Sequence, residues 1–132
     1  MGSIPPISPY SMQPSSNDLA NELWQFVSEL RELIGEYEKD PSSPALLAKI
    51  ETCMKGMESF LEKNKAQLFQ IMKNQGWSAT GMNGFENYYD AALSSIQLFL
   101  QKPNMASLDM VNEQATQIHW LMTHNKSASS LD

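Results

Sequence analysis

Apolar residues recur at spacings of three and four along most of this chain, the period of an α-helix buried along one side. Leu19, Leu23, Phe26, Leu30, Leu33 and Tyr37 form the first stripe, and Ala20, Trp24, Val27 and Ile34 flank it, widening it to the face of a bundle helix. Asn17 is placed as its N-cap, with Asp18 and Glu22 setting negative charge against the positive end of the helix dipole. Pro41 disfavours helical backbone at Asp40, so the segment is expected to end near Lys39. Ser43-Pro44 restarts the chain, the serine as cap and the proline at the first helical position, where its missing N–H costs nothing.

The second stripe is the longest: Leu47, Ile50, Met54, Met57, Leu61, Asn64, Leu68 and Ile71 step by three and four without a break. A helix from Pro44 to Asn74 spans about 46 Å at 1.5 Å per residue. Gly76 is expected to close it in the left-handed conformation. The uncharged stretch Trp77–Met82 reads as a linker, after which Asn83 and Glu86 have the spacing of a capping box. Phe85, Tyr89, Ala92, Leu93, Ile96, Phe99 and Leu100 make a third stripe, ended by Lys102-Pro103. Met105, Leu108, Val111, Ala115, Ile118 and Met122 make a fourth.

These stripes predict an all-α protein, an antiparallel bundle of about four helices at 18–39, 44–74, 84–102 and 105–124. A disordered Pro/Ser-rich arm, 1–17, precedes the domain at 18–126, and a flexible tail, 127–132, follows it. Short connections at 40–43 and 103–104 favour antiparallel neighbours. A closed bundle and a long first hairpin with the later pair swapped onto a second chain are both compatible with the pattern.

Charge sharpens the first hairpin. Residues 18–40 hold seven acids and two bases, a net of −5, whereas residues 44–74 hold five Lys and three Glu, a net of +2. Antiparallel helices of opposite bias are expected to attract along their edges, each exposed pair contributing about 0.2–1 kcal/mol. The whole chain of 132 residues carries −6, with nine Lys and Arg against fifteen Asp and Glu. That balance argues against nucleic acid and against an anionic membrane surface, since both need a basic face. No run of about eighteen apolar residues marks a membrane span, and the N-terminus lacks the basic start and Leu-rich centre of a classical signal peptide. A single cysteine, Cys53, rules out an internal disulfide and suits a reducing compartment.

Catalytic chemistry finds no foothold in this pattern. His119 and His124 are five apart, whereas a helical metal pair wants three or four, and no acid lies at a supporting position. Cys53 has neither a neighbouring base nor a helix N-terminus to activate it and reads as a small buried hydrophobe. Glu32 and Glu36 fall on the solvent side of their helix. Gly76, Gly81 and Gly84 lack the strand and lysine of a phosphate loop. The chain therefore reads as a non-enzyme with no cofactor and no metal.

What remains points to binding. Asn64 is the polar residue on the longest seam; it either sets register and partner choice or marks where the seam surfaces between Lys63 and Lys65, the reading we favour. Nine Met and twelve aromatic residues mostly fall on the stripes, where the ordinary reading is core. Trp77 and Met82, large apolar residues beside glycine, either plug the end of the bundle or wait for a partner, and plugging is the favoured expectation. The interaction candidates are Trp24, Asn64, Trp77, Met82 and Trp120.

The first seventeen residues carry no charge, are crowded with Pro and Ser, and place Ile4-Pro5 near the start, the first acid being Asp18. This stretch resembles the uncleaved, Ser-rich export signals of substrates of the bacterial type III secretion system. A helical body rich in Met and Gln with one Cys is also similar to the small structural and translocation proteins such systems export or chaperone. The resemblance rests on residues 1–17; no motif in 18–132 supports it, and it assigns no functional residue. It implies a virulence-associated protein made in the bacterial cytoplasm before export, with secretion-apparatus subunits, a host protein or further copies of itself as partners. The other reading is an intracellular adaptor or chaperone that takes a partner helix in a Met-rich groove.

Overall fold

The computed structural model describes residues 16–123, which form four α-helices: α1 (Ser16–Lys39), α2 (Pro44–Asn74), α3 (Ala79–Gln101) and α4 (Met105–Thr123). The arm up to residue 15, His124 and the tail at 127–132 lie outside the described residues. Each helix packs on its sequence neighbour and α4 closes back on α1, while the diagonal pairs meet only weakly. The result is an up-down-up-down bundle closed within one chain rather than swapped onto a second.

Local chemistry explains the helix ends. Ser43 caps α2, its Oγ accepting from the Leu46 N–H at 3.2 Å, with Pro44 in the first helical position. At the other end Gly76 takes φ +89°, the Gly76 N–H donates to the Lys73 carbonyl and the Trp77 N–H to the Met72 carbonyl. These two bonds satisfy carbonyls that α2 would otherwise leave unpaired. Asn104 caps α4 through a 2.9 Å bond from the Ser107 N–H to its Oδ1.

Two expected boundaries move. α1 begins at Ser16, so Asn17 lies inside the helix; Ser and Asn offer equivalent capping oxygens, and sequence does not separate neighbouring candidates. α3 begins at Ala79, with Ser78 as its cap accepting from the Gly81 N–H at 3.0 Å. The capping box at Asn83 and Glu86 is thus not used. Packing of Met82 against the core carries helix through Asn83 and Gly84, overriding their weak propensity.

The core runs the length of the bundle. Leu19, Leu23, Val27 and Leu30 of α1 face Ile50, Met54, Met57 and Leu61 of α2, and Phe85, Tyr89 and Phe99 of α3 face Val111, Ala115 and Ile118 of α4. Several stripe residues, among them Phe26, Tyr37, Leu47, Ile71, Leu93, Leu100 and Met105, are half-buried at its edges. At one end Phe69, Trp77, Phe85 and Tyr89 form an aromatic cluster with ring centroids 5.3–6.1 Å apart. Such pairs add about 0.5–1.5 kcal/mol beyond their buried area. The Tyr89 hydroxyl donates to the Leu61 carbonyl, which binds α3 to α2 inside the core.

Candidate interaction site

The sequence candidates separate into interior and exterior. Trp77 is 7% exposed and plugs the end of the bundle, edge-on to Phe85, as favoured from sequence. Its indole N–H is buried with no hydrogen-bond partner among the described residues. Met82 is half-buried in the first turn of α3, not in a linker. Asn64 is 8% exposed, so the seam does not surface there. Its side-chain amide donates to the Phe60 carbonyl one turn back at 2.9 Å, and this bond lets a polar group sit among apolar neighbours. The flanking lysines misled because Lys63 and Lys65 point around the helix, away from the Asn64 direction.

Trp24 and Trp120 are the exterior pair, 36% and 38% exposed. Trp24 lies on the flank of α1 that meets α4, its ring centroid 4.6 Å from that of His119. The Arg31 guanidinium sits 4.8 Å from the Trp24 ring centroid and extends across to α4, donating to Thr116 Oγ1 at 3.0 Å and to Asn112 Oδ1 at 3.4 Å. A cation over the indole face is favourable by about 0.5–1 kcal/mol at such an exposed place. The outcome is a pre-ordered aromatic edge, because the tilted contact with the His119 ring and the Arg31 guanidinium hold the Trp24 ring before any partner arrives. Sequence pointed to Trp24 through its flanking place beside the stripe. It missed Arg31 and His119, whose approach depends on the register of α1 against α4.

Cys53 is 3% exposed and its thiol lies 3.6 Å from the Phe26 carbonyl. Burial, with the Glu29 carboxylate adding to it, pushes the thiol up from 9.0 to about 12. Burial likewise raises the Tyr89 hydroxyl above its ordinary value. Both groups stay protonated at neutral pH, so Cys53 has no thiolate to offer as a nucleophile. Glu32 and Glu36 are exposed on α1, as are Asp18, Glu22 and Glu29. Among the described residues no three His, Cys, Asp or Glu side chains gather as a metal site. The His119–His124 pair falls partly outside them.

The salt bridge seen among the described residues does not follow the opposite charge bias of α1 and α2. It runs from Lys65 to Asp90 at 3.4 Å and joins α2 to α3, as does the Gln97 to Glu58 hydrogen bond. Of the acids of α1, Glu29 comes to α2 at the Cys53 thiol and not at a lysine.

Among the described residues no helix is long and apolar enough to cross a membrane. Compared with known protein families, curated protein sequences and solved structures, the chain matches none of them.

Proposed function

We propose that this chain is a non-catalytic, helical protein-binding protein, exported by or associated with a bacterial type III secretion system, whose partners dock on the outside of the closed bundle. The observation that carries the binding part is the half-exposed, pre-ordered Trp24 edge with Trp120 one residue beyond His119. Large rigid aromatics kept partly in water are the side chains that anchor protein interfaces most strongly. The secretion setting rests on the uncharged, Ser- and Pro-rich residues 1–17.

An adaptor with a Met-lined groove draws less support. Met54, Met57, Met72 and Met122 are 0–4% exposed and fill the core, so such a groove needs the bundle to open. The test of the secretion reading is a fusion of residues 1–17 to a reporter, expressed in a bacterium with a working type III apparatus and in a strain lacking it. Apparatus-dependent appearance of reporter outside the cell is the expected result; equal retention in both strains overturns it. The binding part is tested separately with Trp24→Ala and Trp120→Ala, which should weaken capture of the partner at least tenfold while leaving helix content unchanged.

A further inference from the structure

α2 outruns the helix it packs against. It has 31 residues and α1 has 24, and the short turn at 40–43 sets Lys39 level with Pro44. α2 therefore rises about seven residues, roughly 10 Å, beyond the start of α1. Side-chain contacts give the same register. Phe26 lies against Gly56 and Phe60, and its carbonyl accepts from the Cys53 thiol, which carries Ser16 to the level of Ala66. α3, with 23 residues against 19 in α4, likewise starts above the end of α4. This end of the bundle is thus a step, with α2 and α3 on its high side.

The high side is largely apolar. Between Gln67 and Asn83 the charged residue is Lys73, which lies about 200° round α2 from Ile71 and so points away from α1. The row that meets α1 lower down, Cys53, Gly56 and Phe60, continues upward by threes and fours as Asn64, Gln67, Ile71 and Asn74. Above the level of Ser16, Leu68, Met72 and Trp77 are buried, while Ile71 and Met82 are half-buried. Here too the Trp77 indole N–H is held out of water with no acceptor among the described residues. A buried donor without a partner is costly, and it points to an acceptor that the four helices do not supply.

We infer that this step is the seat of the chain's own N-terminal arm, with residues 9–14 laid across it in extended form. The arm joins the bundle at Ser16, at the foot of the step. Six residues of extended, Pro-rich chain span about 19 Å, enough to climb 10 Å and cross one helix spacing of about 10 Å. The chemistry matches as well. Residues 1–15 carry no charge, so seating them takes no ion out of water. Tyr10 and Met12 bring apolar side chains to cover Ile71 and Met82. Four prolines remove amide donors and leave their carbonyls, so the arm is rich in acceptors for the Trp77 N–H. Pro-rich chain docks on aromatic side chains at small cost in order. The tail after Thr123 is a poorer match, because it brings Lys126 and Asp132. Covalent attachment gives the arm an effective concentration that a separate chain does not reach. The Trp24 edge lies lower, between α1 and α4, and docking at the step does not depend on a role of residues 1–17 in export.

Paramagnetic broadening in the full, 15N-labelled chain tests this. A nitroxide is attached at Ser11→Cys; Cys53, buried and protonated at neutral pH, does not take the label. The expected result is loss of the Ile71 and Met82 amide signals and of the Trp77 indole signal, with Lys39 and Asn104 at the far end at full intensity. Adding Tyr10→Ser and Met12→Ser should restore the lost signals and speed exchange of the Trp77 indole proton about tenfold or more. Both substitutions lie outside the four helices, so the bundle folds in either chain. Full intensity at the step overturns the inference, as does broadening confined to Trp24 and Trp120. Equal broadening when a spin-labelled chain is mixed with a 15N chain lacking the label also overturns it, by placing the contact between copies. Unchanged indole exchange in the double variant means that another group protects Trp77, and counts against it too.

Discussion

The two halves of the bundle solve the same packing problem with different exteriors. α1 and α2 carry sixteen charged side chains, six acids and two bases on α1 and three acids and five bases on α2. α3 and α4 carry four, all acidic. Inside, the halves are alike: each contributes fully buried aliphatic or aromatic residues to one core. The difference shows that in this chain charge decides which sides of the helices must face water, not how the helices pack. Where charge is dense, solvation fixes the outer face; where it is sparse, α3 and α4 come together through small residues, Ser95 and Ser107, buried between them.

If the halves share one core despite their exteriors, truncation in either should be felt by both. Phe85→Ala in the uncharged half should cost about 3–5 kcal/mol, and Met57→Ala in the charged half about 2–5 kcal/mol. Both side chains are 0% exposed. Urea unfolding followed by circular dichroism should show a single transition in each variant; two transitions in either would break the picture of a common core.

Protonation sharpens the comparison from the charged side. The folded Cys53 thiol titrates near 12 and the unfolded one near 9.0. The unfolded chain therefore loses this proton first as pH rises. The stabilising contribution is complete below pH 9 and falls between 9 and 12, by on the order of 1 kcal/mol per pH unit. Comparing the pH slope of urea stability with that of Cys53→Ala isolates the effect, since other groups titrate alike in both. Equal slopes would mean that the thiol is not buried in solution.

Glycine positions probe how tightly each part is packed. A Cβ on Gly56 would lie 2.8 Å from Phe26 Cε1, whereas nothing lies within 4 Å of one on Gly35 or Gly84. Gly56→Ala should destabilise by about 1 kcal/mol, overpacking of about 1–3 kcal/mol outweighing a helical gain of about 1 kcal/mol. Gly35→Ala and Gly84→Ala should each stabilise by about 0.5–1 kcal/mol, one in each half. Thermal melts that show all three moving the same way would contradict the packing at the α1–α2 contact. The smallest effect is expected at the salt bridge between halves: Lys65→Ala should lower stability by no more than about 0.5 kcal/mol, because both partners are exposed.

Periodicity made the fold legible: the ends of α2 and the buried faces of all four helices follow from spacing, Pro44, Gly76 and Pro103. The start of α3 did not, because Ser78 and Asn83 both satisfy local capping rules and only the packing of Met82 distinguishes them. Asn64 was misread for a similar reason. Its neighbours in sequence point elsewhere on the helix, and the bond to the Phe60 carbonyl that makes burial tolerable is invisible until the helix is built. The Trp24 edge was half legible, through the tryptophans; Arg31 and His119 join it from two helices whose register no local pattern encodes.

The unequal burial of the three tryptophans also gives the chain an internal optical reporter. Trp77, enclosed by Phe85 and the end of α2, should emit at short wavelength and resist acrylamide, while Trp24 and Trp120 should emit further to the red and be quenched readily. Unfolding at the aromatic end and partner docking on the α1–α4 edge thus fall on different parts of one emission spectrum, and can be followed in the same cuvette without attaching a label.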